Sequence, residues 1–526
     1  MTTATPHRRL PLLPLFLTIP TLLAAAEEPP EPAALTPLAP AAFDRAAAAH
    51  LLSRAGFSGP PREIDQLYAL GLEKAVESLL EPGGPLPAEA FEGDTLELAM
   101  TDRVDRRALR TLDREERQKL MRRMRQKNRK QFQALRGRWF RRMVVTPRPL
   151  EEKMTLFWHG HFATSQRGVG NSYHMYLQNR TLRAYALGNF KGLTHAISKD
   201  PAMLKYLNNQ QNRRLHPNEN FARELMELFT LGVGHYTEDD IKEAARAFTG
   251  WTFRGKEFFF RHRVHDYGEK KFLGHTGDFN GEDVIDIIFA QPAASRFIAR
   301  KVFVYFVHED PSAKIVEHLA EILRSHDFEI RPLLERLFMS AEFYSATARG
   351  TQIKSPVRLV AGTLRTLEMD PGSAPVFAFI CGRMGQDILL PPSVKGWDGG
   401  RSWISTSTIF HRYNFARPIL GLEARRGPGE GGPAGRNLGE GGKITDALPA
   451  LPQWDTESGR ELLLGADSAE LDPADVVDRV VRRLLLVEVS AEARRQLIDF
   501  YTLARPETRL EELIHLVISS PEYQLG

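Results

Sequence analysis

Asn280-Gly281-Glu282-Asp283-Val284-Ile285-Asp286-Ile287-Ile288-Phe289-Ala290-Gln291-Pro292 carries the punctuation of two successive helices. Asn280 is a short polar residue able to accept hydrogen bonds from first-turn amides. Asp283, three residues on, can reach back to it, and acids in the first turn suit the positive end of the helix dipole. The apolar run from Val284 to Phe289 supplies a buried face. Pro292, with its φ preset for a first turn, opens the next helix through Phe297, Ile298 and Val302. Thr237-Glu238-Asp239-Asp240 repeats the pattern, and Gly250 closes that helix after Phe248.

Outward from this region helix signals dominate. Strand-like alternation is scarce, Phe253 to Val264 being the best hairpin candidate, with its turn at Arg254-Gly255-Lys256. The expected fold is therefore mainly α: a multi-helix globular array with one short β-hairpin, plus a small helical C-terminal unit. Leu333 to Phe343 and Leu513 to Tyr523 echo each other, both reading as a helix that ends at Ser-x-Glu-aromatic. The echo marks either a duplicated helical unit or a chance likeness of short apolar patterns.

The chain has 526 residues and a formal net charge of +4, too small for its length to name a partner. His7, Arg8 and Arg9, the apolar stretch Leu10 to Leu23 and Ala24-Ala25-Ala26 read as a secretory signal over residues 1–26, so an exported protein, periplasmic or extracellular, is expected. Residues 27–42, rich in Pro, Ala and Glu, form a tether, and the main helical domain is expected over 43–426. Gly-rich residues 427–445 mark a linker, and 446–526 the C-terminal unit. Cys381 is the only cysteine, which rules out an intramolecular disulfide. Residues 102–142 hold seventeen Lys or Arg against five acids, with apolar residues at helical spacing. One long basic helix would cover them, either as a solvated face or as a surface for anionic glycan; export argues against nucleic acid.

The familiar catalytic signatures are missing: no His-Glu-x-x-His, no Gly-x-Ser-x-Gly, and no phosphate loop, since Ile444 after Gly442-Lys443 has no hydroxyl for magnesium. Four constellations remain. His159 and His161 in Phe-Trp-His-Gly-His-Phe are metal-ligand candidates, or else core and capping histidines. His265, Asp266, His275 and Asp278 form a second candidate set for a divalent transition metal, or else loop hydrogen bonding. On the helix Asn218 to Leu231, Glu219, Arg223 and Glu227 stand four residues apart, beside Glu224; they are acid/base candidates or a structural ion network. The loop Pro391 to Ile404 presents Trp397, Asp398, Arg401 and Trp403 as ligand-contact candidates, for sugar stacking or a protein partner, unless the indoles plug the core.

Taken together these stretches resemble a bacterial family, domain of unknown function 1800 (DUF1800). The matching motifs are Ala49-His50-Leu51-Leu52-Ser53-Arg54-Ala55-Gly56-Phe57, Phe157 to Ser165, Asn218 to Gly232, Tyr236 to Trp251, His265-Asp266, Lys271 to Gly274, Ile353-Lys354-Ser355-Pro356-Val357, Met384-Gly385-Gln386 and the Trp397 loop to Thr408. The resemblance implies an exported protein, often encoded beside an exported member of domain-of-unknown-function family 1501, which looks similar to sulfatases. It implies no established reaction and brings no catalytic residues. The basic segment and the Gly-rich linker look like departures from the family pattern. The expected function is an exported binding or assembly factor for such a partner or a polysaccharide. The rivals are a metal-dependent hydrolase of envelope material, with Glu219 or Glu224 as general base, and a purely structural envelope component.

Overall fold

The computed structural model describes residues 35–81, 112–372, 374–422, 451–465 and 471–526. The expected signal segment, residues 27–34 of the tether, residues 102–111 of the basic segment and the Gly-rich linker lie outside the described residues. The fold is mainly α, with two two-stranded sheets among the described residues.

The punctuation read from the sequence is realised. Thr237 Oγ1 accepts the Asp240 amide at 3.2 Å while Asp240 Oδ2 accepts the Thr237 amide at 2.8 Å, starting the helix Glu238–Ala247. Asn280 and Asp283 make the same reciprocal pair ahead of Gly281–Phe289, and Pro292 begins Pro292–Phe306. The hairpin pairs Trp251–Arg254 with Glu257–Phe260 and turns at Gly255-Lys256, where Gly255 takes φ +63°. Its first strand starts two residues earlier than expected. A second hairpin, Lys270–Phe272 with His275–Gly277, was not foreseen, because three-residue strands are too short to show a period of two.

The basic segment yields one helix, Arg114–Val145, capped by Asp113 and Glu116. Its two halves differ. The stretch to Lys130 is largely exposed and basic, whereas Phe132, Leu135, Trp139, Phe140 and Met143 are buried and anchor the rest.

Two hydrophobic cores result. One gathers the helices Arg45–Ala55 and Pro61–Leu80 with residues between Phe190 and Ala348; the other joins the Arg114–Val145 helix to residues 357–422 and to the C-terminal helices. The helix Pro149–His161 runs between them, giving Leu150, Met154 and Trp158 to the first core and Leu156 to the second. Trp158 is fully buried, 5.3 Å from the Phe190 ring, and its Nε1 donates to Ala186 O at 3.1 Å. Burying such a ring stabilises the fold by about 4–6 kcal/mol.

The two echoing segments hold equivalent places. Leu333 to Phe338 lies in the third helix of the array Pro292–Phe306, Ala313–Ser325, Ile330–Phe338. Leu513 to Ile518 lies in the third helix of Pro473–Leu484, Ala491–Leu503, Arg509–Ile518. Each array closes on extended backbone that leads toward another helix: Pro37 bridges Ser340 ahead of Arg45–Ala55, and Ile353 bridges Leu525 ahead of Pro356–Thr366. The C-terminal array is a helical unit that shares its core with Val357, Leu364 and Phe377.

Candidate functional site

The histidines are buried among aromatic rings. Desolvation lowers the pKa of His159 to about 3, so the ring is neutral. Its Nε2 accepts the Leu389 amide at 3.0 Å, which leaves the proton on Nδ1, buried against Trp139 and Trp397 without a hydrogen-bond partner. His161 points elsewhere. Its Nε2 donates to Phe229 O at 2.9 Å and its Nδ1 faces Lys301 Nζ, which itself donates to Leu228 O at 2.9 Å.

Those carbonyls belong to Leu225–Thr230, a π-helical turn that continues Asn220–Glu224. The wider turn leaves carbonyls outside the ordinary helical ladder, and His161 and Lys301 satisfy two of them. Burial, together with the Lys301 charge, holds the His161 pKa well below the usual value, and burial brings Lys301 down to about 8.

The second histidine set is likewise spent on structure. His265 Nδ1 contacts Thr249 O at 2.8 Å. Asp266 takes two hydrogen bonds from Arg246, at 2.8 and 3.1 Å. His275 is exposed on the second hairpin, and Asp278 pairs with Lys270 Nζ at 3.3 Å. Among the described residues no group of three His, Cys, Asp or Glu is placed to hold a metal ion. The structure thus brings His265 and Asp266 near Thr249 and Arg246, but does not gather the six candidates around one point.

The acid-base stripe also changes form. Glu219 and Arg223 pair at 3.2 Å, but the second partner of Arg223 is Glu238, held by both guanidinium Nη atoms at 2.8 and 2.9 Å. Spacing by four assumes 3.6 residues per turn, and the π-turn rotates Glu227 out of that row to accept the Tyr236 hydroxyl at 3.2 Å. Glu224 is half-buried, its pKa raised by desolvation and by the Glu227 charge. A separate cleft of 710 Å³ is lined by Glu81, Arg148, Glu151, Arg183 and Arg331. Its charges are matched: Arg331 pairs with Glu81, Arg148 with Glu151, and Arg183 with Glu152 beneath.

The loop from Pro391 to Ile404 differs in being built rigidly and left open. Gly396, at φ +85°, presses on the Gly160 carbonyl, where a Cβ would overlap it, and Trp397 sits edge-on to His159 with ring centroids 5.5 Å apart. Trp397 is half-buried; Trp403 is buried at 7% and plugs the core instead of facing solvent. Asp398 is exposed and engaged by Lys395 at 2.5 Å, while Arg401 is exposed.

Sequence reading missed the apolar residues just beyond. Ile404 is 38% exposed, Phe410 64% and Tyr413 36%, three of eleven large apolar side chains exposed among the described residues. The signal was available: Phe410 and Tyr413 lie three apart in Thr406–Asn414, a helix that opens with Ser and Thr and carries no wider apolar stripe.

Residues 50–525 match the family model described as Protein of unknown function (DUF1800). The chain belongs to that family. No curated protein and no solved structure matches it. In this DUF1800 chain the matched span takes in both helical arrays, both cores and the Trp397 loop. Among the described residues no helix is long and apolar enough to cross a membrane.

Proposed function

We propose that this DUF1800 chain is exported and acts as a binding and assembly factor that grips a polysaccharide of the cell envelope at the Trp397 loop. One observation carries the reading: a half-exposed indole on a fixed support, followed within sixteen residues by exposed Ile404, Phe410 and Tyr413. Flat apolar rings stack on the C–H faces of sugars. The surrounding Ser402, Ser405, Ser407, Asp398 and Arg401 offer hydroxyl, carboxylate and guanidinium groups to sugar hydroxyls. A rigid platform keeps the ordering cost of binding low. The hydrolase alternative has no such support, because His159, His161, His265 and Asp266 are each hydrogen-bonded to the fold apart from one another, and among the described residues no three candidates converge.

Affinity electrophoresis of the purified mature chain in gels cast with envelope polysaccharides tests the proposal. Retardation by at least one polymer is expected, with Trp397→Ala and Phe410→Ala each weakening it about tenfold, the loss typical of a well-packed aromatic contact. Undiminished retardation in both variants would remove the loop from the binding surface. Capture of an exported sulfatase-like protein, with no glycan binding, would make the occupant a protein instead. N-terminal sequencing of the chain recovered outside the cytoplasm checks export.

A further inference from the structure

Where the two cores meet, four cationic side chains are buried, and among the described residues no Asp or Glu pairs with them. Arg54 comes from the helix Arg45–Ala55, Lys153 from Pro149–His161, Arg358 from Pro356–Thr366 and Lys354 from just before it; none is more than 5% exposed. Arg358 Nη2 donates to Ser53 Oγ at 3.0 Å, Arg54 Nη2 to Ala348 O, and Lys354 Nζ to Tyr523 O at 2.7 Å. Lys153 Nζ lies over two ring faces, Phe57 at 5.2 Å and Tyr305 at 5.5 Å from the centroids.

The donors are far from used up. Arg54 Nε and Nη1 and Arg358 Nε are buried without a partner. Among the described residues no Asp or Glu pairs with any of the four, and the groups that act on them electrostatically are each other, Arg412 and the Tyr305 hydroxyl. The neighbouring titratable groups are His50, Tyr305 and Tyr523, none of them an anion at neutral pH.

A lysine in such a place can shed its proton, but a guanidinium cannot, so at least two like charges stay buried side by side. An unpaired buried charge costs several kcal/mol, and orphaned guanidinium N–H groups add to that. The remedy consistent with the donors present is an anion with several acceptor oxygens. Forked N–H groups of two arginines and a nearby ammonium match a tetrahedral oxyanion in charge and in hydrogen-bonding capacity.

We infer that Arg54, Arg358, Lys153 and Lys354 form an internal binding site for one phosphate- or sulfate-type oxyanion, which ties the two halves of the molecule together at their seam. The location fits that role, since the Arg54 helix belongs to the first core, the Arg358 helix and its leading segment with Lys354 to the second, and the Lys153 helix to both. Gly526 also packs against the Arg358 guanidinium, where a Cβ would stand 2.6 Å from Nη2.

Two measurements on the purified full chain test the inference. Ion chromatography of the anions released on denaturation should give close to one equivalent of phosphate or sulfate. Thermal melts at constant ionic strength should show a saturating rise in Tm with added inorganic sulfate or phosphate over chloride. The Arg54→Met/Arg358→Met double variant should lose the released anion and show a flat Tm response; Arg358→Lys should keep part of both. If the double variant does not fold, the wild-type chain alone still decides. The absence of both a released oxyanion and an oxyanion-specific Tm rise would overturn the inference, as would an equal response in a folded double variant.

Discussion

Gly396 and Gly399 stand three residues apart in the aromatic loop, both at positive φ, +85° and +77°, but in different surroundings. A Cβ on Gly399 would meet nothing within 4 Å, whereas one on Gly396 would overlap the Gly160 carbonyl. Alanine at either position incurs the positive-φ penalty, about 1–2 kcal/mol, partly offset by about 0.4–1 kcal/mol from a stiffer unfolded chain. Gly396→Ala adds a steric cost of about 1–3 kcal/mol, because the backbone it strikes belongs to the buried Pro149–His161 helix and cannot yield.

The difference between the two variants isolates that last contribution. Urea unfolding should place Gly396→Ala about 1–3 kcal/mol below Gly399→Ala. The alternative relief is for the loop to lift, which should raise acrylamide quenching of Trp397, read against a Trp397→Phe background, and weaken polysaccharide retardation. If the two variants agree within about 0.5 kcal/mol and quench alike, the support argued for Trp397 is wrong.

Three further outcomes follow from the buried polar groups. Glu152 is fully buried and takes hydrogen bonds from Arg142, from Arg183 at 2.6 and 3.0 Å and from Trp139 Nε1 at 3.1 Å; Glu152→Gln should cost about 3–5 kcal/mol by urea unfolding, because it takes the carboxylate from Arg183 and leaves Arg142 with Glu151. Burial alone would raise the Glu152 pKa, but Arg183 and Arg142 outweigh it and hold it low. That stability is therefore complete above the unfolded value, about 4.3, and is lost as pH falls through the lower folded one, so the wild-type advantage over Gln should shrink in acid. His161→Ala should cost about 1–3 kcal/mol by freeing the Phe229 carbonyl, with His161→Gln recovering part; equal losses in the two would argue against the capping role. Asp200 is pushed up to about 7 by burial, despite hydrogen bonds from the Met203 amide and Gln178, so between the unfolded value near 3.9 and pH 7 the folded state holds a proton the unfolded state has lost. Stability then falls as pH rises through that window, and Asp200→Asn, which keeps the cap, should raise Tm at pH 8 but not at pH 4.

Much of the fold was legible because helix ends are decided locally. Asn280, Asp283, Thr237, Asp240 and Pro292 act on amides within one turn of themselves, so their meaning survives without knowledge of the rest of the chain. The loop aromatics were legible as a cluster, but which indole reaches solvent was not: Trp397 is half-buried and Trp403 buried, six residues apart in one loop. The π-turn at Leu225–Thr230 broke a spacing argument that presumed a regular helix. Histidine partners were out of reach as well, since Leu389, Phe229 and Thr249 contribute backbone groups from 230, 68 and 16 residues away.

The sequence by itself therefore determined the family, the helical class, the helix boundaries marked by caps and the existence of a Pro- and Gly-bound aromatic loop. Only the tertiary structure decided which polar groups are spent on the fold and which remain available. It turned His159, His161 and His265 into backbone staples and brought Arg54, Lys153, Lys354 and Arg358 together from segments up to about three hundred residues apart. The physical reason is range: capping and turn geometry are set over a few residues, whereas burial, charge balance and hydrogen-bond satisfaction depend on whatever the folded chain packs against each group.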